Sequence, residues 1–159
     1  MSNKFLQLVM HPFKFRLFLL TKLPNAYFSG IRVRYVDTDK SVVTVPYKWF
    51  SKNPFKSTYF ACLSMAAEMS TGVLAMAHTY KQNPAVSMLV LKIEGNFYKK
   101  ATGITTFMCE EGSRLAQMVQ EATASGKSAT VTVRSVGKSK SDEIVADFSI
   151  TWSFKTKTK

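Results

Sequence analysis

A chain of 159 residues, 46% of them hydrophobic and with only 7 glycines and 5 prolines, suits one folded domain and is neither collagenous nor disordered. Its 22 basic against 10 acidic side chains give a formal charge of +12, which favours anionic partners (nucleic acid, lipid headgroups, phosphorylated ligands) without choosing among them. Cys62 and Cys109 lie far apart and form no Cys-x-x-Cys pair. With no cleavable leader in view, that pattern predicts reduced thiols in a cytoplasmic protein.

The first segment, Met1 to Leu23, interleaves Phe5, Leu8, Val9, Phe13, Phe15, Leu17, Leu19 and Leu20 with Lys4, Lys14, Arg16 and Lys22. Charge interrupts it too often for a bilayer span, which needs about 20 mostly apolar residues. A signal peptide is equally disfavoured, because the uncharged core between Arg16 and Lys22 is short and no small-residue cleavage site follows. The segment reads as a helical extension over residues 1–28, with Pro12 at an early helical position or a kink. It is expected to pack on its own domain or a dimer partner; the alternative is peripheral docking on a membrane surface.

After Pro24 the pattern turns to strands. Ile31, Val33 and Tyr35 alternate with Arg32 and Arg34, and a β-rich run from Ser41 to Tyr47 follows the turn at Asp37 to Lys40. Trp49 to Thr58 reads as a loop, with Ser57 or Thr58 as the N-cap of a long helix that runs to about Tyr80, before Asn83-Pro84. Ser87 to Phe97 and Ile104 to Met108 are β-prone. Leu115, Met118, Val119 and Ala122 recur at helical spacing. Thr130 to Val136 turns back into a run in which Ile144, Ala146, Phe148, Ile150, Trp152 and Phe154 alternate with their neighbours. The order predicts an α+β domain over residues 29–155, with an antiparallel sheet covering one long central helix, and a basic tail at 156–159.

Glu68 stands out within this plan, because it is the only acidic residue between Asp39 and Glu94 and lies inside an apolar helix. A carboxylate in such a place either borders a polar edge or does chemistry, since burial disfavours its charged form. Ala61, Ser64, Thr71 or Gly72, and Ala75 share its helical side and would allow close backbone approach.

Other chemistries are poorly supported. His11 and His78 lack further ligand-type residues at metal-site spacing, so no metal is expected, and His78 reads as a polar group near a helix C-terminus. Ser125-Gly126-Lys127-Ser128 lacks the earlier glycine of a phosphate loop, since Glu121 stands there. Neither Gly-x-Ser-x-Gly nor Gly-x-Gly-x-x-Gly occurs, and no cofactor is expected. Aromatics at positions a core would claim, such as Phe148, Trp152 and Phe154, count against nucleic-acid binding.

Asn53-Pro54-Phe55-Lys56-Ser57-Thr58-Tyr59-Phe60-Ala61, leading into the helix with Glu68, resembles the hotdog-fold thioesterase superfamily, closest to its phenylacetate-pathway branch and uncharacterised relatives. That branch has a loop Asn, a His-Gly-Gly entering the helix, and an acid fifteen residues after the Asn. Here 68 − 53 = 15. The resemblance spans roughly Ser29 to Phe154. It implies an antiparallel sheet wrapped around a central helix, a homodimer or homotetramer, and acyl-CoA or an acyl-carrier thioester bound between subunits.

On that resemblance Asn53 would orient water or the acyl carbonyl, and Glu68 would be general base or nucleophile. Amides near Phe60 or Ala61 would polarise the thioester oxygen. Lys99 and Lys100, or Lys138 and Lys140, would meet the phosphates of the carrier. Tyr59, Phe60 and Ala61 replace His-Gly-Gly, which restricts close approach to the helix N-terminus. The expected activity is thioester hydrolysis; the alternative is a non-catalytic module of the same fold that binds an acyl or lipid ligand.

Overall fold

The computed structural model of the protein describes residues 4–157, so the start of the N-terminal segment and the last two residues of the basic tail lie outside the described residues. Three short helices come first: α1 (Lys4–Met10), α2 (Lys14–Lys22) and α3 (Pro24–Phe28). The single extension read from the sequence is thus broken twice, around Pro12 and at Leu23, with Pro24 opening α3 at a position where its missing N–H costs nothing. Phe5, Val9, Phe15, Leu19 and Ala26 are buried in the same core as the rest of the chain. Arg16 locks the segment down by donating to the carbonyls of Ile31 (3.0 Å) and Tyr27 (3.3 Å). Leu17 and Leu20 of α2, and Phe13 at its N-cap, remain exposed.

The strands β1 (Arg32–Val36), β2 (Ser41–Val45), β3 (Val86–Phe97), β4 (Thr105–Cys109), β5 (Ala129–Lys138) and β6 (Ile144–Thr156) form one antiparallel sheet. Their order is β1-β2-β4-β5-β6-β3. Strand β6 runs through Thr156, so the first residue of what was read as tail is paired to β3. The long helix α4 (Phe60–Thr79) lies against the concave face, and α5 (Gly112–Ser125) packs beside it through Leu115, Val119 and Ala122. Period-two alternation decides which residues meet them: in β5 Ala129, Val131, Val133 and Ser135 are buried while Thr130, Thr132 and Arg134 are exposed.

Two strand glycines make room for core rings under α4. A Cβ on Gly137 would lie 2.5 Å from the Phe107 ring, and one on Gly95 would lie 2.6 Å from Phe148. Those rings lie flat on bare backbone, which is the packing reason for glycine inside a strand. Helix α4 is then tied to its sheet by buried hydroxyls. Ser41 Oγ donates to the Ser70 carbonyl (2.5 Å), Ser70 and Ser135 hydroxyls meet at 2.7 Å, and Trp152 Nε1 donates to Thr71 Oγ1 (2.9 Å).

Among the described residues only α4 is long and apolar enough to cross a bilayer, and 67% of its apolar window is buried inside the sheet, as in the core helix of a globular domain. Its final turn is anchored by His78, whose Nε2 lies 2.9 Å from the Thr38 carbonyl in the β1–β2 turn.

Strand β3 is an edge. It pairs only with β6, leaving twelve residues with one open side. Leu89, Leu91, Ile93 and Phe97 are exposed along it. Long apolar edges of this kind are templates for further strand pairing.

Candidate active site

The loop before α4 is held by Asn53. Its Oδ1 accepts from the amides of Phe55 (3.0 Å) and Ser57 (3.2 Å) and from the Ser57 hydroxyl (3.2 Å), a side-chain turn typical of Asn. Ser57 is therefore spent on Asn53, and Thr58 Oγ1 donates to the Ala101 carbonyl (3.1 Å), so neither caps the helix as expected. The N-cap is Tyr59, which offers no side-chain acceptor. Cys62 and Leu63 amides fold back onto the Tyr59 carbonyl. The amides of Phe60 and Ala61 find no acceptor among the described residues, which leaves two donors free at the positive end of a twenty-residue helix.

A cavity of about 520 Å³ opens at this helix end. Asn53, Phe60, Lys99 and Lys100 all line it, so the fold brings together four of the expected site residues that are far apart in sequence. Its walls are mostly aromatic and apolar: Phe55, Tyr59, Leu63, Phe97 and Tyr98 complete them. Phe60 contacts Phe97 edge-on at 6.4 Å, and Phe97 contacts Phe148 at 5.5 Å, linking the open cavity to the core.

Glu68 and Ala61 do not line this cavity. Glu68 is two turns further along α4, about 12 Å from Phe60 at helical rise. It is half-buried and its carboxylate makes no ion pair among the described residues, but it is not a buried orphan, since no fully buried side-chain oxygen there lacks a partner. Burial accordingly raises its pKa above the ordinary value. Gly72 makes room for it: a Cβ there would lie 3.2 Å from Glu68 Oε1 and 3.4 Å from the Trp152 ring. The carboxylate thus sits beside Trp152, whose register partner is Val90 on the open edge strand β3.

Of the four lysines expected to meet phosphate, two are occupied. Lys99 pairs with Glu143, and Lys138 pairs with Asp142 at 3.0 Å. Lys100 reaches the Phe55 carbonyl at 3.4 Å, and Lys140 makes no ion pair among the described residues. The partners of Lys99 and Lys138 both come from the β5–β6 turn, whose contacts the sequence did not reveal. Sequence reading also passed over Leu63, Phe97 and Tyr98 as cavity walls. The one available signal was an aromatic pair immediately before Lys99-Lys100 at a strand end.

Helix-wrapped sheet, aromatic cavity at the helix entrance and half-buried helix carboxylate together define the class. Residues 14–154 match the family described as a domain of unknown function, DUF4442, and the chain belongs to that family. Its fold is the hotdog fold of thioesterase-like proteins. A Pseudomonas aeruginosa protein of unknown function, described as a probable thioesterase, superposes with a TM-score of 0.78 at 18% identity, covering 92% of this chain and 97% of that one. A protein of unknown function from Chlorobaculum tepidum gives 0.76 at 17% identity, covering 91% and 93%. A Haemophilus influenzae thioesterase gives 0.62 at 12% identity, covering 88% of each chain. No functionally curated protein matches the chain.

Proposed function

We propose that the protein is an acyl-CoA or acyl-carrier thioesterase whose site is completed by a second copy, with Glu68 as general base. The observation that carries this reading is Glu68 itself: a half-buried helix carboxylate beside Trp152, held without an ion pair among the described residues and raised in pKa by burial. Perturbed titratable groups of this kind favour chemistry over scaffolding. The free amides of Phe60 and Ala61 supply the donors that a developing oxyanion needs.

The separation of about 12 Å between Glu68 and its own helix N-terminus is too long for one thioester to engage both. Antiparallel pairing of two β3 edges would set each Glu68 near the α4 N-terminus of the second copy. That pairing would also cover Leu91, Ile93 and Phe97, whose exposure supports it. In the reaction Glu68 takes a proton from water as the oxygen attacks the thioester carbonyl. The tetrahedral oxyanion is held by the α4 amides, and collapse expels the thiol, which takes the proton back. Both cysteines are free and buried, in keeping with a reducing, cytoplasmic setting.

Release of free thiol from short, long and aromatic acyl-CoAs tests the reading directly. Glu68→Gln should lower turnover by about 10²–10⁴-fold with folding and ligand affinity retained. Unchanged turnover in that variant refutes Glu68 as base. Leu91→Lys should convert a dimer to a monomer by sedimentation and lose turnover with it; an active monomer sinks the shared site.

A second reading is favoured by the loop. Asn53 Oδ1 is fully engaged by its own turn, and Tyr59 and Phe60 crowd the helix entrance. These features suit a module that binds an acyl or lipid ligand without cleaving it. Saturable binding of acyl-CoA with no thiol release would decide for it.

A further inference from the structure

On the outer face of the sheet, away from α4, a separate cleft of about 360 Å³ gathers Arg32, Arg34, Lys48 and Lys140. Thr44 marks the face: its neighbours Val43 and Val45 are fully buried toward the core, so Thr44 points the other way. Arg32 is its register partner across β1–β2, and Arg34, at the strand bulge, donates from Nε to Thr44 Oγ1 at 3.0 Å. Lys48 follows β2, and Lys140 arrives from the β5–β6 turn. None of the four cations forms an ion pair among the described residues, and no acidic side chain lines the cleft.

Four uncompensated cations converging on a concave surface repel one another, and the low-dielectric walls concentrate their field. The five ion pairs among the described residues, at Lys92, Lys99, Arg114, Arg134 and Lys138, leave most of the 22 basic side chains unpaired, but these four are gathered in one cleft that no carboxylate lines. That convergence marks this cleft as a place where a ligand can supply the counter-charge. Two guanidinium forks with hydroxyls from Thr44 and Tyr47 beside them match tetrahedral oxyanions bearing several acceptors.

From this geometry we propose that the outer cleft binds a ligand carrying two or more phosphate negative charges, as in a pyrophosphate or a phosphorylated lipid headgroup. The site stands apart from the Glu68 carboxylate and does not depend on whether a thioester is hydrolysed. A third cavity of about 320 Å³ shares Lys99, Lys100 and Ala101 with the aromatic cavity and Gly103, Ile104 and Lys140 with the basic cleft. One ligand could therefore extend from the apolar chamber to the phosphate site.

Titration calorimetry of the full chain with inorganic pyrophosphate at low salt tests the proposal. Saturable binding is expected, weakened at least tenfold in Arg32→Gln/Lys140→Gln, whose replaced side chains make no ion pair, and changed less than twofold in Lys127→Gln. Circular dichroism of each variant checks that the fold persists. Equal weakening in Lys127→Gln would mean diffuse charge attraction and overturn the site, as would the absence of saturable binding in the unaltered chain. Sedimentation with vesicles containing phosphatidylinositol phosphates separates the sources. Vesicle binding displaced by pyrophosphate assigns a lipid headgroup, and pyrophosphate binding without vesicle binding assigns a soluble phosphorylated ligand; both uphold the site.

Discussion

The two halves of α4 are built on opposite terms. From Met69 to Ala75 every side chain is buried, and Ser70 and Thr71 are bonded to β2, β5 and β6. From Tyr59 to Glu68 the helix has no side-chain cap, two free amides, exposed rings at Tyr59 and Phe60, and a carboxylate without an ion pair among the described residues. One half anchors the helix in the sheet; the other presents polar and aromatic groups at unfavourable local cost. A rigid scaffold holding an unsatisfied end is how a fold keeps binding groups in place without letting them relax into their own best contacts.

The sharpest way to break that contrast is to truncate one aromatic of the sheet core that holds α4 and one at the helix entrance. Phe107 is fully buried against Phe148 and the bare backbone of Gly137, so Phe107→Ala should cost about 3–5 kcal/mol and lower Tm by about 6–20 °C. Phe60, 56% exposed, should cost about 1 kcal/mol or less when cut to Ala, while weakening binding of an acyl ligand. Comparable losses of Tm in thermal melts of the two variants would mean that the helix entrance is as structural as the sheet core. A smaller effect is expected at Thr71→Val, which keeps the shape but strips the acceptor from Trp152 Nε1. That should cost about 1–3 kcal/mol by urea denaturation, with no change in turnover.

Much of this division could be read from the chain, and the reason lies in what each feature depends on. Alternation in Ile144 to Phe154 reports a strand with one buried face, because period-two burial is local. Glu68 was conspicuous because its neighbours are apolar. What stayed hidden was set by contacts between distant residues. Ser57 and Thr58 have the chemistry of an N-cap, but Asn53 and the Ala101 carbonyl claim their hydroxyls. Lys99 looked free until the β5–β6 turn placed Glu143 beside it. Arg32 and Lys140 are 140 − 32 = 108 residues apart, and no local pattern announces that they face one cleft. That β3 is an edge strand likewise follows from the order of the whole sheet.

The smallest expected effect bears most directly on the presenting half. Glu68 is raised in pKa by desolvation, so the folded chain holds its proton more tightly than the unfolded chain does. Stability contributed by the neutral acid is fully present below the unfolded value and is lost as pH rises through the folded pKa. Glu68→Gln mimics the neutral form at every pH. Its Tm should match that of the unaltered chain near pH 4 and exceed it by an increment that grows with pH and then levels off, about 2–4 °C for each kcal/mol of relieved desolvation. Turnover should move the opposite way, rising with pH over the same interval as the base ionises, so one titration would appear in two independent measurements. A Tm difference constant from pH 4 to pH 8 would mean that the carboxylate is already satisfied in the folded chain, and the distinction between the two halves of α4 would lose its chemical content.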